Sequence, residues 1–514
     1  MLVAAVGLGL FALAYRSTLD RHLAAEARQQ VPADYVLAED LSRLVPPLAA
    51  ATPASLAALA PGVSAAPVLR LTADVNGTGA QGQATLLGVP VEALPAAQAR
   101  LLRQGPAPLP RGLRIPAAAR HLVLPVRLAG DPLRLEAVVR TTAGLFVRIP
   151  LGDARGARQP SAALPAEARG GLLVALTLDL TTRGTRRGVP GADGPTERAA
   201  GTLRLGAPLV DGRPLAGGFS GWIGRGDAVA RGPRVGPVAG FAYSVGNDAA
   251  TLLRPRLTGD GREVPVLATP AVAQLADDSG LLSLGFGDRD LAVRVVGTVA
   301  RLGSVDGAAL LADGPTLSAA LDGDQPGTGV PQEIWVSGPA GLEAALQRSP
   351  LDLLQLTSRA ALERGLRSEP AARGTLIALA AAGLAGLLLA LLALGSALLS
   401  DLRDERGELF DLEAQGLGPR RLRAHLRLRS LLVAAAGLLG GLLVAAVLAT
   451  LVVRTVAATA GGLAPQPPLG LGLAWPELAG AVAAFAVASL LVVQLTARRA
   501  FRGEAPGRVV EEGA

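Results

Sequence analysis

The chain contains no cysteine, no lysine, only three histidines and few aromatic residues. The absence of cysteine excludes disulfides, thiolate nucleophiles and cysteine zinc sites. All 49 basic residues are arginine. A chain without lysine has neither a Walker A phosphate loop nor a Schiff-base nucleophile. We therefore expect no catalytic residue, cofactor or metal in this chain, and any ATP hydrolysis must come from a partner subunit.

The charge and hydropathy of the chain favour a membrane over a nucleic acid as its environment. Aromatic residues make up 3% of the sequence and the arginines are dispersed, so the chain has no stacking platform or basic stripe for nucleic acid. Charged residues amount to 18% and hydrophobic residues to 50%, with a mean hydropathy of +0.40. Soluble domains carry about 25% charged residues. This composition is typical of a membrane protein.

Three apolar runs near the C-terminus are long enough to cross a membrane. Leu376–Leu399, Leu431–Val453 and Leu478–Leu495 contain 24, 23 and 18 residues without a charge. At ~1.5 Å per residue each covers most or all of a hydrocarbon core of about 30 Å. The runs predict transmembrane helices over 374–400, 430–454 and 475–497.

A shorter apolar run, Leu2–Tyr15, opens the sequence. Its 14 residues suit a signal peptide, and Ala12-Leu13-Ala14 is similar to a cleavage site. However, no basic residue precedes the run, and Arg16 and Arg21 follow it. We therefore predict a first transmembrane helix over 1–15 whose beginning is missing.

The arginines predict the orientation of the chain in a membrane. Seven arginines lie between residues 401 and 429, and the tail over 498–514 carries four more, whereas the connection over 455–474 has none. The positive-inside rule places the first two segments in the cytoplasm and the third outside. The segment from residue 16 to 373 is then extracytoplasmic.

The extracytoplasmic segment has three kinds of local pattern. Alternating apolar residues between turn signals predict a β-sandwich over 108–248. Mixed strand and helix patterns over 16–107 and 249–350 predict an α+β module into which the sandwich is inserted. The stretch 351–373 is predicted to form a stalk helix.

Several motifs resemble FtsX-like permeases of the MacB type. They are Arg406-Gly407-Glu408, Gly418-Pro419-Arg420-Arg421, Gly437 with Gly440-Gly441, and Gly285-Phe286-Gly287-Asp288 in the outer segment. The order of one span, an outer domain and three spans also fits that family. The stretch Phe11–Arg21 resembles the first helix of large actinobacterial members, of which this chain is similar to the C-terminal half. The resemblance implies four transmembrane helices, the first one short, and a large extracytoplasmic α+β porter-like domain carrying the inserted sandwich.

The cytoplasmic loop carries the sharpest functional hypothesis. Leucines recur there at about helical spacing among charges of both signs, which predicts an amphipathic helix. Resemblance to the family implies that this helix docks on an ATPase, with apolar residues as anchors and charges setting the register. The alternative is a solvated helix whose arginines only determine topology. The residues concerned are Leu402, Arg403, Asp404, Glu405, Arg406, Glu408, Leu409, Leu412 and Glu413.

Small residues in two of the predicted spans indicate close helix packing. Ala382, Gly386 and Ala390 share one spacing in the second span, and Gly437 and Gly441 form a GxxxG pair in the third. The packing is either within the chain or between two permease units. The arginines that begin at Arg420 are expected either to contact anionic lipid or only to set topology.

Other motifs are predicted to be structural. Gly218–Gly221 departs from the spacing of a nucleophile elbow, and Asp322-Gly323-Asp324 has too few acids for a calcium loop, so both are predicted as ordinary turns. Trp222 is expected in the core rather than on a sugar-binding face.

The resemblance implies the permease subunit of an ABC transporter in a bacterial plasma membrane. An ATPase homodimer and a second permease unit, either a second copy or a fused half, are the implied protein partners. The outer domain would act on a lipophilic, lipoprotein, peptide or envelope substrate. The alternative is a membrane-anchored binding or scaffold protein for glycan or cell-wall enzymes, without transport.

Overall fold

The chain divides into a helical unit and a mixed α/β domain. The helical unit comprises residues 1–30 and 359–514, and the domain comprises residues 31–358. The computed structural model describes residues 2–76, 81–103, 110–156, 159–181, 198–226, 228–230, 239–246, 251–286, 289–305, 307–339, 341–404, 419–459 and 475–500.

The helical unit contains four helices that are long and apolar enough to cross a membrane. A shorter amphipathic helix precedes the second of them. The five helices are α1 (Leu2–Gln30), α8 (Arg359–Ser368), α9 (Pro370–Asp404), α10 (Pro419–Thr459) and α11 (Trp475–Ala500).

Helix α1 is twice as long as its apolar run. The predicted span ended at Tyr15, whereas the helix continues to Gln30. The added half is rich in Ala, Leu, Arg and Gln, which are strong helix formers, and contains no Gly or Pro. Pro32 follows two residues after its end and disfavours further helix.

Small residues bring α1 close to both α9 and α10. A Cβ built on Gly386 of α9 would lie 2.8 Å from the Cα of Gly9, and one built on Gly441 of α10 would lie 2.5 Å from a Val6 methyl. Gly437 faces Leu2 in the same way. These small residues of α9 and α10 thus lie against α1.

The buried small residues of α9 agree with two of the three predicted positions. The third lies one residue further along the chain than predicted. Ala390 is completely buried and Gly386 is buried, but Ala382 is exposed. Gly383 is buried instead and packs against Leu13 of α1. The shift follows from the 3.6-residue repeat of the helix, which places 383, 386 and 390 on one face.

An ion pair joins α1 to α8. Arg367 Nε lies 3.0 Å from Asp20 Oδ1, and Arg367 Nη2 lies 2.9 Å from Glu363 Oε1. All three side chains are partly exposed, so the contribution to stability is about 1 kcal/mol or less. The pair sets which faces of the two helices meet.

A nine-stranded mixed sheet forms the framework of the α/β domain. Its order is β19-β20-β18-β21-β3-β2-β22-β1-β23, and an extra pairing of β19 with β2 closes six of the strands into a ring. The strands are β1 (Tyr35–Ala38), β2 (Ser64–Asn76), β3 (Gln81–Val89), β18 (Val264–Ala268), β19 (Leu281–Phe286), β20 (Arg289–Thr298), β21 (Ala309–Asp313), β22 (Glu333–Ser337) and β23 (Gln355–Ser358).

Short helices cover this sheet. They are α2 (Pro47–Ala50), α3 (Pro53–Ala57), α4 (Ala96–Leu102), α5 (Pro270–Ala273), α6 (Gly314–Asp324) and α7 (Glu343–Leu346), with 3₁₀ turns at Val91–Ala93 and Leu351–Leu353. A further 3₁₀ turn, Ala166–Ala168, belongs to the β-rich segment between β3 and β18.

Between β3 and β18 the chain forms three smaller antiparallel sheets around one large apolar core. Their orders are β14-β17-β10-β7-β8 with β4 beside β10, β15-β16-β11-β6, and β13-β12-β5-β9. The strands are β4 (Leu113–Arg114), β5 (His121–Val123), β6 (Val126–Gly130), β7 (Leu133–Arg140), β8 (Phe146–Ala154), β9 (Ser161–Ala163), β10 (Leu172–Leu180), β11 (Ala199–Leu205), β12 (Leu209–Val210), β13 (Arg213–Pro214), β14 (Trp222–Arg225), β15 (Ala228–Ala230), β16 (Ala239–Val245) and β17 (Thr251–Pro255).

The end of this β-rich segment differs from the predicted boundary at residue 248. Strand β17 lies beyond that boundary, yet it pairs with both β10 and β14. Leu253 of β17 is fully buried in the same core. The turn signals before β17 suggested a boundary, but cross-strand pairing keeps the strand in the sheet.

The predicted stalk helix over 351–373 is wrong in its first part. Residues Gln355–Ser358 form β23, which pairs antiparallel with β1 from Tyr35↔Ser358 to Ala38↔Gln355. Helix begins only at Arg359. Pairing with β1 outweighs local helix propensity here because Leu351 and Leu354 are buried in the core beside β1.

Replacing Gly386 by alanine tests the close packing of α1. The new Cβ would collide with the Gly9 backbone, so we expect Gly386→Ala to destabilise the helical unit by about 1–3 kcal/mol. The matched control is Gly480→Ala in α11, where a Cβ meets nothing within 4 Å. Thermal unfolding in detergent measures both variants, and equal midpoints would contradict the packing described.

Candidate functional site

The predicted ATPase-coupling residues lie at the edge of the described chain. Leu402, Arg403 and Asp404 belong to the last turn of α9. Glu405, Arg406, Glu408, Leu409, Leu412 and Glu413 lie outside the described residues. The coupling helix therefore remains a prediction from the sequence.

A cavity in the α/β domain has the shape of a ligand pocket. Its volume is about 320 Å³, and most of its lining is apolar, including Leu48, Pro67, Leu69, Phe146, Val174 and Leu257. Natural ligand pockets have volumes of about 300–1,000 Å³ with a few polar groups in an apolar wall. The cavity meets this description.

One face of α6 forms a wall of the cavity. Pro315, Ser318, Ala319 and Asp322 line it at the i, i+3, i+4, i+7 spacing of one helical face. Leu317, on another face of the helix, is completely buried in the core of the ring of strands. Asp313 caps the helix, with Oδ2 accepting from Thr316 N at 3.2 Å.

The hairpin of β7 and β8 contributes a positively charged residue to the cavity, opposite in sign to Asp322 of α6. Arg140 ends β7 and Phe146 begins β8, and the two residues pair across the hairpin. Both line the cavity. Gly144 in the connecting turn has a φ of 92°, a left-handed conformation that favours glycine.

The carboxyl group of Asp322 is held in this apolar setting by the loop that follows α6. Its Oδ1 accepts hydrogen bonds from Gly327 N and Gly329 N, each at 2.9 Å. Burial raises the pKa of Asp322 to about 6, although these hydrogen bonds and the charge of Arg140 act in the opposite direction. The group therefore titrates close to neutral pH.

Arg254 joins the end of β17 to the end of α6. Only 3% of its side chain is exposed, and its two terminal nitrogens bind Asp260 at 2.6 and 2.9 Å. Its Nε donates to the carbonyl oxygen of Gly323. A cation at the C-terminal carbonyls of a helix is favourable. All three guanidinium nitrogens of Arg254 are thus occupied by protein partners.

Asp260 is the counter-ion of this bridge. Burial raises its pKa, but hydrogen bonds from Arg254 and Leu257 and the charges of Arg254 and Arg225 outweigh burial, so its pKa lies below the ordinary value. The bridge is therefore charged at neutral pH.

The sequence did not identify this cavity. The expectation of a loop at Asp322–Asp324 is wrong, because these residues form the last turn of α6. The helical spacing of the α6 residues was the only local signal for the cavity. Such a face with small residues is common in protein cores, so the spacing did not indicate a cavity. The rest of the lining comes from segments separated by up to 280 residues, from Leu48 to Gly329.

Two other motifs lie where the sequence placed them. Trp222 is 3% exposed and meets Phe219 edge to face, with ring centroids 4.8 Å apart. Gly218 and Gly221 both have positive φ, consistent with turns. Within the described ranges, no group of three or more His, Asp or Glu side chains has the arrangement of a metal site.

The chain matches no protein-family model and no curated protein. Its function is therefore inferred from its own residues and geometry.

Asp322→Asn tests the environment of the carboxyl group. A folded-state pKa raised from 3.8 to about 6 means that ionised Asp322 costs stability above pH 6, by on the order of 2–3 kcal/mol. Asparagine keeps the Oδ1 acceptor for Gly327 and Gly329 but carries no charge. We expect the variant to be more stable than the wild type at pH 7.5, with the gain vanishing as the pH falls to 4.

Thermal unfolding between pH 4 and 8 measures this difference. Asp278→Asn, at an exposed position on the same domain, is the matched control and is expected to show a gain of less than 0.5 kcal/mol, as is usual for surface substitutions. A destabilised Asp322→Asn at pH 7.5 would refute the assignment.

Proposed function

We propose that the chain is the membrane subunit of an ABC transporter that resembles the MacB and FtsX-like permeases. The observation that carries the proposal is the order of the chain. One apolar helix precedes a domain of residues 31–358, and three apolar helices follow it. Neither a single-span anchor nor a bundle of hairpins with short loops would have this order.

The ends of the domain support a mechanical role. Strands β1 and β23, which begin and end it, pair as neighbours. The chain therefore enters from α1 and leaves into α8 at adjacent positions of one sheet. Asp20 and Arg367 also tie these two helices together. Movement of the helical unit would thus be applied to the domain through two adjacent connections.

The sequence supplies the rest of the proposal. Without lysine, the chain depends on a separate ATPase for ATP hydrolysis. We place the amphipathic helix that the sequence predicts over 402–413 at the ATPase, the domain outside the membrane, and a second permease unit beside the first. The domain binds the substrate, and no residue of this chain performs bond chemistry.

Co-purification tests the ATPase partner. The variant Arg403→Glu/Arg406→Glu/Leu409→Asp reverses two charges and removes one apolar anchor, which should cost several kcal/mol at a complementary interface. We expect the wild type to capture an ABC ATPase of the same cell in mild detergent, and the variant to capture at least tenfold less.

The matched control is Arg498→Glu/Arg499→Glu near the C-terminus, which reverses the same number of arginine charges. It should capture the ATPase like the wild type. If neither the wild type nor the control captures it although the α/β domain is folded, a membrane-anchored binding protein replaces the transporter as the better explanation.

Single cysteines test the orientation. Because the natural chain has no cysteine, each introduced thiol is the only one available to a membrane-impermeant maleimide. We expect Ala117→Cys and Gln466→Cys to be labelled in intact cells, and Gln415→Cys only after permeabilisation. Labelling of Gln415→Cys in intact cells would reverse the proposed topology.

A further inference from the structure

More positively than negatively charged side chains line the cavity of the α/β domain. The charged side chains that line it are Arg111, Arg140, Arg254 and Asp322. Arg254 is fully occupied by Asp260 and Gly323. Arg111, which is exposed, donates to the carbonyl oxygen of Arg256. Arg140, Asp322 and the remaining donors of Arg111 are the charged groups left to meet a ligand.

Arg140 has the larger unused capacity. In the described part of the chain its guanidinium makes no hydrogen bond or ion pair, and it influences Asp322 through its charge alone. Asp322, in contrast, already accepts two backbone hydrogen bonds. A guanidinium has five donors in a planar fork that matches a carboxylate, sulfonate or phosphate.

We propose that this cavity binds an amphipathic anion, with its apolar body between Leu69, Phe146 and Val174 and its charged head on Arg140. The apolar wall favours the body because contact with it removes hydrocarbon surface from water. The head gains charge-assisted hydrogen bonds in a partly desolvated site, where such bonds are stronger than in water.

Asp322 makes this binding depend on pH. Arg140 on β7 acts on it through its charge, Ser318 on α6 through its side chain, and the backbone N–H groups of residues 327 and 329 through hydrogen bonds, while the already paired Arg254 lines the same cavity. When ionised, Asp322 repels the head of the ligand and competes for Arg140. When protonated, it does neither. Affinity for a permanently ionised anion therefore rises as the pH falls through about 6.

The inference goes beyond the transporter proposal and does not depend on an ATPase. A pocket that binds the anion would stand even if the chain proved to be a membrane-anchored binding protein, and co-purification with the ATPase says nothing about the pocket. The two proposals therefore fail separately.

Calorimetry on the full chain in nanodiscs of zwitterionic lipid tests the proposal, with the heat of empty nanodiscs subtracted. The probes are hexane-1-sulfonate, hexyltrimethylammonium and hexan-1-ol, which share one apolar body and differ in charge. We expect saturable binding of the sulfonate at one site per chain, at least tenfold tighter than that of the other two. We also expect its affinity to rise about threefold or more between pH 7.5 and 5.

Variants locate the site. Arg140→Gln should weaken sulfonate binding about tenfold, the loss expected for one charge-assisted interaction. Arg148→Gln, at an exposed position on the adjacent strand β8, is the matched control and should bind like the wild type. Ala319→Phe fills the cavity from α6 and should abolish binding. Asp322→Asn should bind at pH 7.5 as tightly as the wild type binds at pH 5.

The comparison of probes on the unaltered chain keeps the proposal falsifiable if a variant fails to fold. Equal affinity for the sulfonate, the ammonium and the alcohol, or no saturable sulfonate binding at all, would overturn it. So would binding that survives Ala319→Phe, or an equal loss in Arg140→Gln and Arg148→Gln when both variants unfold at the temperature of the wild type.

Discussion

The antiparallel pairing of β1 with β23 is the contact on which the plan of the molecule depends. A domain of residues 31–358 interrupts a helical unit, and its first and last strands lie at neighbouring positions of one sheet. Four residue pairs, from Tyr35↔Ser358 to Ala38↔Gln355, achieve this. Leu37, Leu351 and Leu354 are buried in the same small core. Both ends of the domain are thus anchored in one core, and a force applied to either connection would act on the same few side chains.

Close approach at small residues joins helices of the helical unit. Gly386 and Gly441 both face α1, at Gly9 and Val6. In lipid the hydrophobic effect does not favour one helix partner over the tails, so dense packing between small residues provides the attraction. The Asp20–Arg367 ion pair lies outside the apolar run of α1. Charges accordingly orient the flanking helix, and shape complementarity joins the spans.

A structural ion pair lies beside the cavity of the α/β domain. Arg254 reaches from the β-rich segment to the C-terminal carbonyl of α6, and Asp260 neutralises its charge. Removing either partner would leave a buried charge or carbonyl unpaired, which is strongly destabilising. The bridge links β17 to the end of α6, the helix that carries Asp322. Arg254 and Asp260 are thus paired with each other, whereas the guanidinium of Arg140 makes no ion pair in the described part of the chain.

Local pattern determined much of what could be inferred about this protein. Uninterrupted apolar runs predicted the last three long apolar helices, which are long and apolar enough to cross a membrane. Strands such as β7, β10 and β22 could be recognised from apolar alternation or apolar runs between turn residues. The absence of lysine and cysteine excluded whole classes of chemistry. What only the tertiary structure decided are the features that join distant segments: the continuation of the sheet into β17 and β23, the choice of Gly383 over Ala382 at the α1 contact, and the meeting of Arg140 with Asp322. These depend on pairings over tens to hundreds of residues, and no local propensity encodes a contact whose partner lies that far along the chain.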